Sequence, residues 1–296
     1  MSLVAAHIPI FSAWFCVLSR SILTVVDRKL FAYEEGSFAT KLVLNTYCPL
    51  AFAITFALLY GDYTHYFWFY VFSPGVILSG LCSQFSALSF SAAFKEMSIK
   101  DVALANKLTD VLIPLFHYFY LGRFVAHEYV FTLATTVIFI ILMFKETSFS
   151  SKFAVYTPFI VLSTLLQAVV NQVFCVADTI PDLKAFLVFM PCVLFWRCVA
   201  VTIPYSWKTE KLQLNSFRQF TSYHVIFMRA GLGFLAQAAF FYSITRGKST
   251  VTWAVLNSTI LFACAAGHLF LKERLSPKIF AALIVFVALS LLFGSM

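Results

Sequence analysis

Charge is what this sequence has least of. Asp, Glu, Lys and Arg make up 11% of its 296 residues, where a soluble domain carries about 25%. No polar stretch is long enough to build a soluble domain of its own. Hydrophobic residues account for 61% of the chain, and the mean hydropathy is +0.88. These values exclude an ordinary soluble fold and predict an integral membrane protein. Chemical motifs are missing as well. There is no phosphate-binding G-x-x-x-x-G-K-[ST], so ATP hydrolysis by this chain is not expected. Neither H-E-x-x-H nor G-x-S-x-G occurs, and an intramembrane enzyme has no visible constellation to work with. The seven cysteines lie within apolar runs without a C-x-x-C pair, which predicts small buried residues rather than a disulfide or metal role. The N-terminal "MSLVAAHIPIFSAWFCVLS" lacks the basic start of a cleavable leader and reads as the first span.

What is there is a succession of apolar runs. A spanning helix needs roughly 20 mostly apolar residues. That ruler gives ten spans, at 4–26, 40–60, 67–94, 101–120, 126–144, 153–176, 184–205, 220–243, 249–271 and 277–294. Polar segments such as "GDYTH", "KETSFSSK" and "KERLSPK" separate them. None of the runs alternates as a barrel strand would, so the fold class is an all-helical bundle.

Displacing the chain by 150 residues lays segment 85–144 on 235–294 without a gap, loops on loops. Phe90 falls on Phe240, Thr109 on Thr259, Leu121 on Leu271 and Leu142 on Leu292. Each half, 1–148 and 149–296, then holds five spans. An odd number forces the second half to enter the membrane in the opposite sense, giving two inverted five-helix repeats.

The ending "FLKERLSPKIFAALIVFVALSLLF", preceded by "STVTWAVLNSTILFACAAGH", resembles the last two helices of the drug/metabolite transporter superfamily, in its ten-helix EamA-type branch. The family motif L-x-E-x-x-x-x-x-x-x-x-G is matched by "LKERLSPKIFAA", with Glu273 in place and Ala282 where Gly is frequent. In the first half, "LGRFVAHEY" puts Arg123 where the Glu usually sits. The resemblance covers the layout of nearly the whole chain and is specific around residues 235–292. It implies a secondary transporter whose spans 3, 4, 8 and 9 line a central cavity, needing no cofactor and carrying a small metabolite. The wider superfamily includes carriers of S-adenosylmethionine and of nucleotide derivatives. The expected location is the plasma or inner membrane, as a multi-pass monomer or homodimer in contact with lipid.

The 21 Lys and Arg outnumber the 13 Asp and Glu, for a net charge of +8. These basic residues lie mostly in short loops, which fits the positive-inside rule and not a nucleic-acid surface. Loops after odd spans hold Arg28, Lys29, Lys95, Lys100, Lys145, Lys152, Lys208, Lys211, Arg218, Lys272, Arg274 and Lys278. The other side holds Arg123, Lys184, Arg246 and Lys248. The charge bias places both termini outside, whereas members of the resembled family more usually keep them inside.

A charge at the bilayer centre costs about 2.5–3.5 kcal/mol on insertion scales, so deep ionisable groups mark a cavity or an internal ion pair. They are Lys107 and Asp110 in span 4, Arg197 in span 7 and Arg229 in span 8. Arg20, nearer the end of span 1, is placed to snorkel, and His117 and His268 are expected at the interface. Helical spacing aligns Ala103, Lys107, Asp110, Pro114 and His117 on one stripe. The 150-residue displacement sets Asn257 opposite Lys107. Because spans 3, 4, 8 and 9 line the cavity in the resembled family, the resemblance makes Lys107, Asp110 and Asn257 the first candidates for substrate contact, with Gln84 and Gln237 behind them. Gln167, Asn171 and Gln172 read as ties between helices. The 36 phenylalanines are packing and lipid-facing residues, of which Phe85, Phe90 and Phe241 are candidates for a pocket wall. Three deep cations against one acid favour an anionic or zwitterionic solute, amino-acid-like in its charges. Exchange and proton coupling both fit such a site, and a non-transporting scaffold explains the buried charges poorly.

Overall fold

In the computed structural model, residues 3–32, 46–97, 99–122, 125–143, 151–174, 180–206, 223–246, 250–271 and 277–294 are described. Arg123 and Glu273 of the family motif, Cys175, and about half of the basic loop residues that set the orientation lie outside them.

Every element among the described residues is helical. In chain order they are α1 (Leu3–Ala32), α2 (Cys48–Tyr60), α3 (Tyr63–Val71), α4 (Pro74–Glu96), α5 (Ile99–Leu121), α6 (Ala126–Met143), α7 (Ser151–Val173), α8 (Leu183–Ser206), α9 (Tyr223–Arg246), α10 (Thr250–Asn257), α11 (Thr259–Leu271) and α12 (Pro277–Gly294). Lipid offers the backbone no hydrogen-bond partner, so apolar segments of this length close their bonds internally as helices. Five segments are long and apolar enough to cross a membrane: Ile8–Val26, Pro74–Phe94, Ser151–Val173, Leu183–Thr202 and Val251–Phe270. Cys48–Tyr60, Ala126–Ile141 and Phe280–Ser290 are apolar but shorter. Large side chains stand exposed along these helices, among them Phe11 (58%), Leu59 (67%) and Ile141 (68%). Apolar exposure on this scale suits lipid and not water. The chain is a multi-pass membrane protein.

Two expected spans are divided. Span 3, expected over 67–94, is preceded by the nine-residue α3 and begins at Pro74. Proline lacks an N–H and has a preset φ, so it suits the first helical turn and ends the preceding helix. α3 is too short to cross, and its sequence YTHYFWFYV is the aromatic composition of a membrane interface. Its last carbonyl, that of Val71, accepts a 2.7 Å bond from Trp196 Nε1. Span 9, expected as one run over 249–271, is broken at Ser258 into α10 and α11.

α8 is the most enclosed span: 67% of Leu183–Thr202 is buried, against 33% of Ser151–Val173 in α7. It packs against α2, α3 and α4. α1 runs along α9, α10 and α11, while α5 lies among α6, α7 and α10. Contacts between residues 1–148 and 149–296 are therefore the principal ones in the bundle.

The close approach of α4 to α8 depends on Gly80. A Cβ built at Gly80 of α4 would lie 2.7 Å from the Val193 carbonyl oxygen and 2.7 Å from Trp196 Cβ of α8. Small residues let helix backbones meet in this way in membranes. Gly80→Ala is expected to destabilise the protein by about 1–3 kcal/mol through overpacking. Thermal unfolding in detergent measures this, and a variant as stable as wild type would show that the α4–α8 contact yields without strain.

Candidate functional site

Two polar clusters are buried in the bundle. The first is built around α5. Lys107 and Asp110, each 1% exposed, form an ion pair of 2.7 Å between Lys107 Nζ and Asp110 Oδ2. The other carboxylate oxygen, Oδ1, accepts a 2.6 Å bond from Asn257 Nδ2. Lys107 Nζ also donates to the Ala254 carbonyl at 3.2 Å and stands 4.4 Å from the centre of the Phe286 ring. Beside it, Asn106 Nδ2 donates to the Asn257 carbonyl at 2.9 Å, and Thr164 Oγ1 of α7 lies 3.5 Å from Asn106 Oδ1. The three leading sequence candidates, Lys107, Asp110 and Asn257, are thus directly joined. A small apolar recess opens alongside, lined by Lys107, Thr135, Leu261, Ala282 and Phe286 among others.

The backbone explains why this cluster sits where it does. The last four carbonyls of a helix lack intrahelical partners and need others when buried. At the end of α10 those are Ala254, Val255, Leu256 and Asn257. Ala254 accepts from Lys107, and Val255 from the backbone N–H of Ser258. Leu256 accepts from Thr259 Oγ1, and Asn257 from Asn106. Each orphan is satisfied, two of them by α5. On α5 itself, Pro114 has no N–H to give the carbonyl four residues earlier, which is that of Asp110. Both helices therefore interrupt their ladders beside the same ion pair.

The second cluster joins α4, α7 and α8. Arg197 Nε donates to Gln84 Oε1 at 2.9 Å, one turn beyond the Gly80 contact. Next to it, Gln167 Nε2 donates to Ser83 Oγ (2.8 Å) and Ser79 Oγ to Asn171 Oδ1 (3.2 Å). These bonds tie α7 to α4. Arg20 stacks 4.6 Å over the Phe240 ring and is near enough to repel the Arg197 guanidinium. Arg20 is thus turned into the bundle onto an aromatic face and does not snorkel as expected. Arg197, 7% exposed, has a neutral amide as its hydrogen-bonded partner where a carboxylate would be usual.

The remaining candidates are dispersed. Arg229 is buried on α9, close to Cys48 of α2. Gln237 is half-buried, also on α9. His117, expected at the interface, is 6% exposed; His268 is exposed. Phe241 packs edge-on against Phe189 and Phe240 inside the core. Among the described residues, no three His, Cys, Asp or Glu side chains converge as metal ligands. Sequence reasoning missed Asn106, Ala254, Phe286 and Gly80. The first has a weak signal as an amide within a span, and the others have none.

No family model matches this sequence, and no curated protein matches it. A crystal structure of another protein is similar in fold. It superposes with a TM-score of 0.63, covers 98% of this chain and 96% of its own, and is 15% identical. At that identity the likeness concerns the fold alone.

Proposed function

We propose that this protein is a secondary transporter of the drug/metabolite type, with ten spans arranged as two inverted five-helix repeats, 1–148 and 149–296. It moves a small zwitterionic or anionic metabolite across the plasma or inner membrane by alternating access. The observation that carries this reading is the buried Lys107–Asp110–Asn257 cluster at the α10–α11 break. Transporters place discontinuous helices and ionisable groups together near the midplane, where two repeats rock against each other. Here the bonds from Lys107, Asn106 and Asn257 all cross from one proposed half to the other. They close the path when made and must break for it to open.

Charge defines the solute. An ammonium group competes with Lys107 for Asp110, while a carboxylate or phosphate meets Arg197, which among the described residues is hydrogen-bonded to the neutral Gln84 and repelled by Arg20. An amino-acid-like molecule presents both groups, and S-adenosylmethionine belongs to the same class. Exchange of one such solute for another needs no cofactor. The chain works within lipid as a monomer or homodimer.

Uptake into proteoliposomes tests the proposal, using labelled amino acids, nucleotides and S-adenosylmethionine with and without a pH gradient. Saturable uptake of at least one zwitterion or anion is expected, lost in Asp110→Asn. Equal uptake by that variant, or none of any solute by folded wild type, would refute it.

A further inference from the structure

The Lys107 ammonium has unusual neighbours for a structural lysine. It faces a carboxylate oxygen at 2.7 Å, the Ala254 carbonyl at 3.2 Å and the Phe286 ring at 4.4 Å. Each holds a monovalent cation by separate physics: a full negative charge, the negative end of a helix dipole and the quadrupole of an aromatic face. The Ala254 carbonyl lies in the last turn of α10, and unwound carbonyls and half-helix C-terminal ends are what transporters offer to coupling cations. Asn257 fixes Asp110 from the opposite side, so the carboxylate keeps its position whether or not a lysine is there. The recess beside Lys107 has Thr135 on its wall.

We propose that this is a monovalent-cation site whose occupant is the chain's own Lys107 ammonium. Its positive charge is tethered, so the α5–α10 contact closes without free sodium. On the transporter reading above, transport then draws on no sodium gradient. Removing the lysine leaves Asp110, Ala254 and Phe286 around a space for a free cation, and the protein becomes dependent on one.

Lys107→Ala tests this by its melting temperature in sodium, methylammonium and choline chlorides at matched ionic strength. Choline is too large for the space. Wild type is expected to melt alike in all three salts. Lys107→Ala is expected to melt lower in choline and to recover by about 2–4 °C in sodium or methylammonium, as a ligand bound only by the folded state requires. Lys107→Ala/Asp110→Asn, which has no carboxylate, should show no such recovery. Three results would overturn the site: equal melting of Lys107→Ala in every salt, the same recovery in the double variant, or a Lys107→Ala protein that folds in none of the salts while the double variant folds. Melting is independent of uptake. A wild type that carries no solute would remove the transporter reading and leave this result standing, whereas sodium-driven uptake by wild type would overturn the tethering.

Discussion

Asp110→Asn is expected to destabilise the protein by about 3–5 kcal/mol, the cost of breaking a buried ion pair from one side. The change is nearly isosteric, so packing is preserved, and the Asn257 amide still finds an oxygen. What is lost is the countercharge of Lys107, left 1% exposed in a region where an isolated ammonium costs about 2.5–3.5 kcal/mol on insertion scales. Lys107→Met/Asp110→Asn removes both charges and keeps the volume. Its stability should return to within about 1 kcal/mol of wild type, because a paired buried charge contributes little beyond a well-packed apolar replacement. Uptake should stay absent in both variants, since neither offers a carboxylate to a solute ammonium. Denaturant titration in detergent gives the stabilities, and proteoliposome uptake gives the rest. A single variant costing less than about 1 kcal/mol would mean that water reaches Lys107 and that the pair is not an internal lock.

Arg197→Met should behave in the opposite way. Its stability is expected to change by less than about 1 kcal/mol. The variant leaves Gln84 Oε1 without its donor, at a cost of about 1–3 kcal/mol, but removes a desolvated guanidinium that Arg20 repels. Function, by contrast, should fall sharply. Losing one side of a buried hydrogen-bonded charge pair costs 2–5 kcal/mol in binding, a loss of about 30-fold or more. The loss should be confined to the anionic end of the solute. Wild type is expected to prefer a carboxylate solute over its neutral amide, and Arg197→Met to treat the two alike. Competition uptake with the acid and its amide measures this. A variant that still discriminates would assign anion recognition elsewhere, with Arg229 the next residue to change.

These two variants separate the roles of the clusters. The first is internally balanced: one acid, one ammonium, an amide and carbonyls, each with a partner. The second holds the Arg197 guanidinium against the neutral Gln84 amide, with Arg20 near enough to repel it; on the proposed reading, an anionic solute completes it. A balanced cluster suits a contact that opens and closes. An unbalanced one suits recognition.

Much of the first cluster was legible in the sequence. Lys107 and Asp110 are three residues apart in an apolar run, a spacing that lets their side chains meet on any helix. The 150-residue displacement singled out Asn257, and the structure bonds it to Asp110. The break at Ser258 was not legible, because "WAVLNSTILF" contains neither glycine nor proline. It arises from competition: Ser258 and Thr259 turn back onto the carbonyls of Val255 and Leu256, and Lys107 and Asn106 supply the rest from another helix. The Arg197–Gln84 bond was equally hidden. The two residues are 113 positions apart, and their meeting depends on the absent side chain of Gly80.

By itself the sequence determined that this chain lives in lipid, that it is helical and that a few deep charges must face inward. Those conclusions follow from composition and spacing, because lipid leaves the backbone no other way to satisfy its hydrogen bonds. Only the tertiary structure decided which deep groups neutralise one another, where Arg20 turns, and that span 9 divides beside Lys107. Such pairings depend on how closely distant helices approach, and that distance is set by side chains on both partners together.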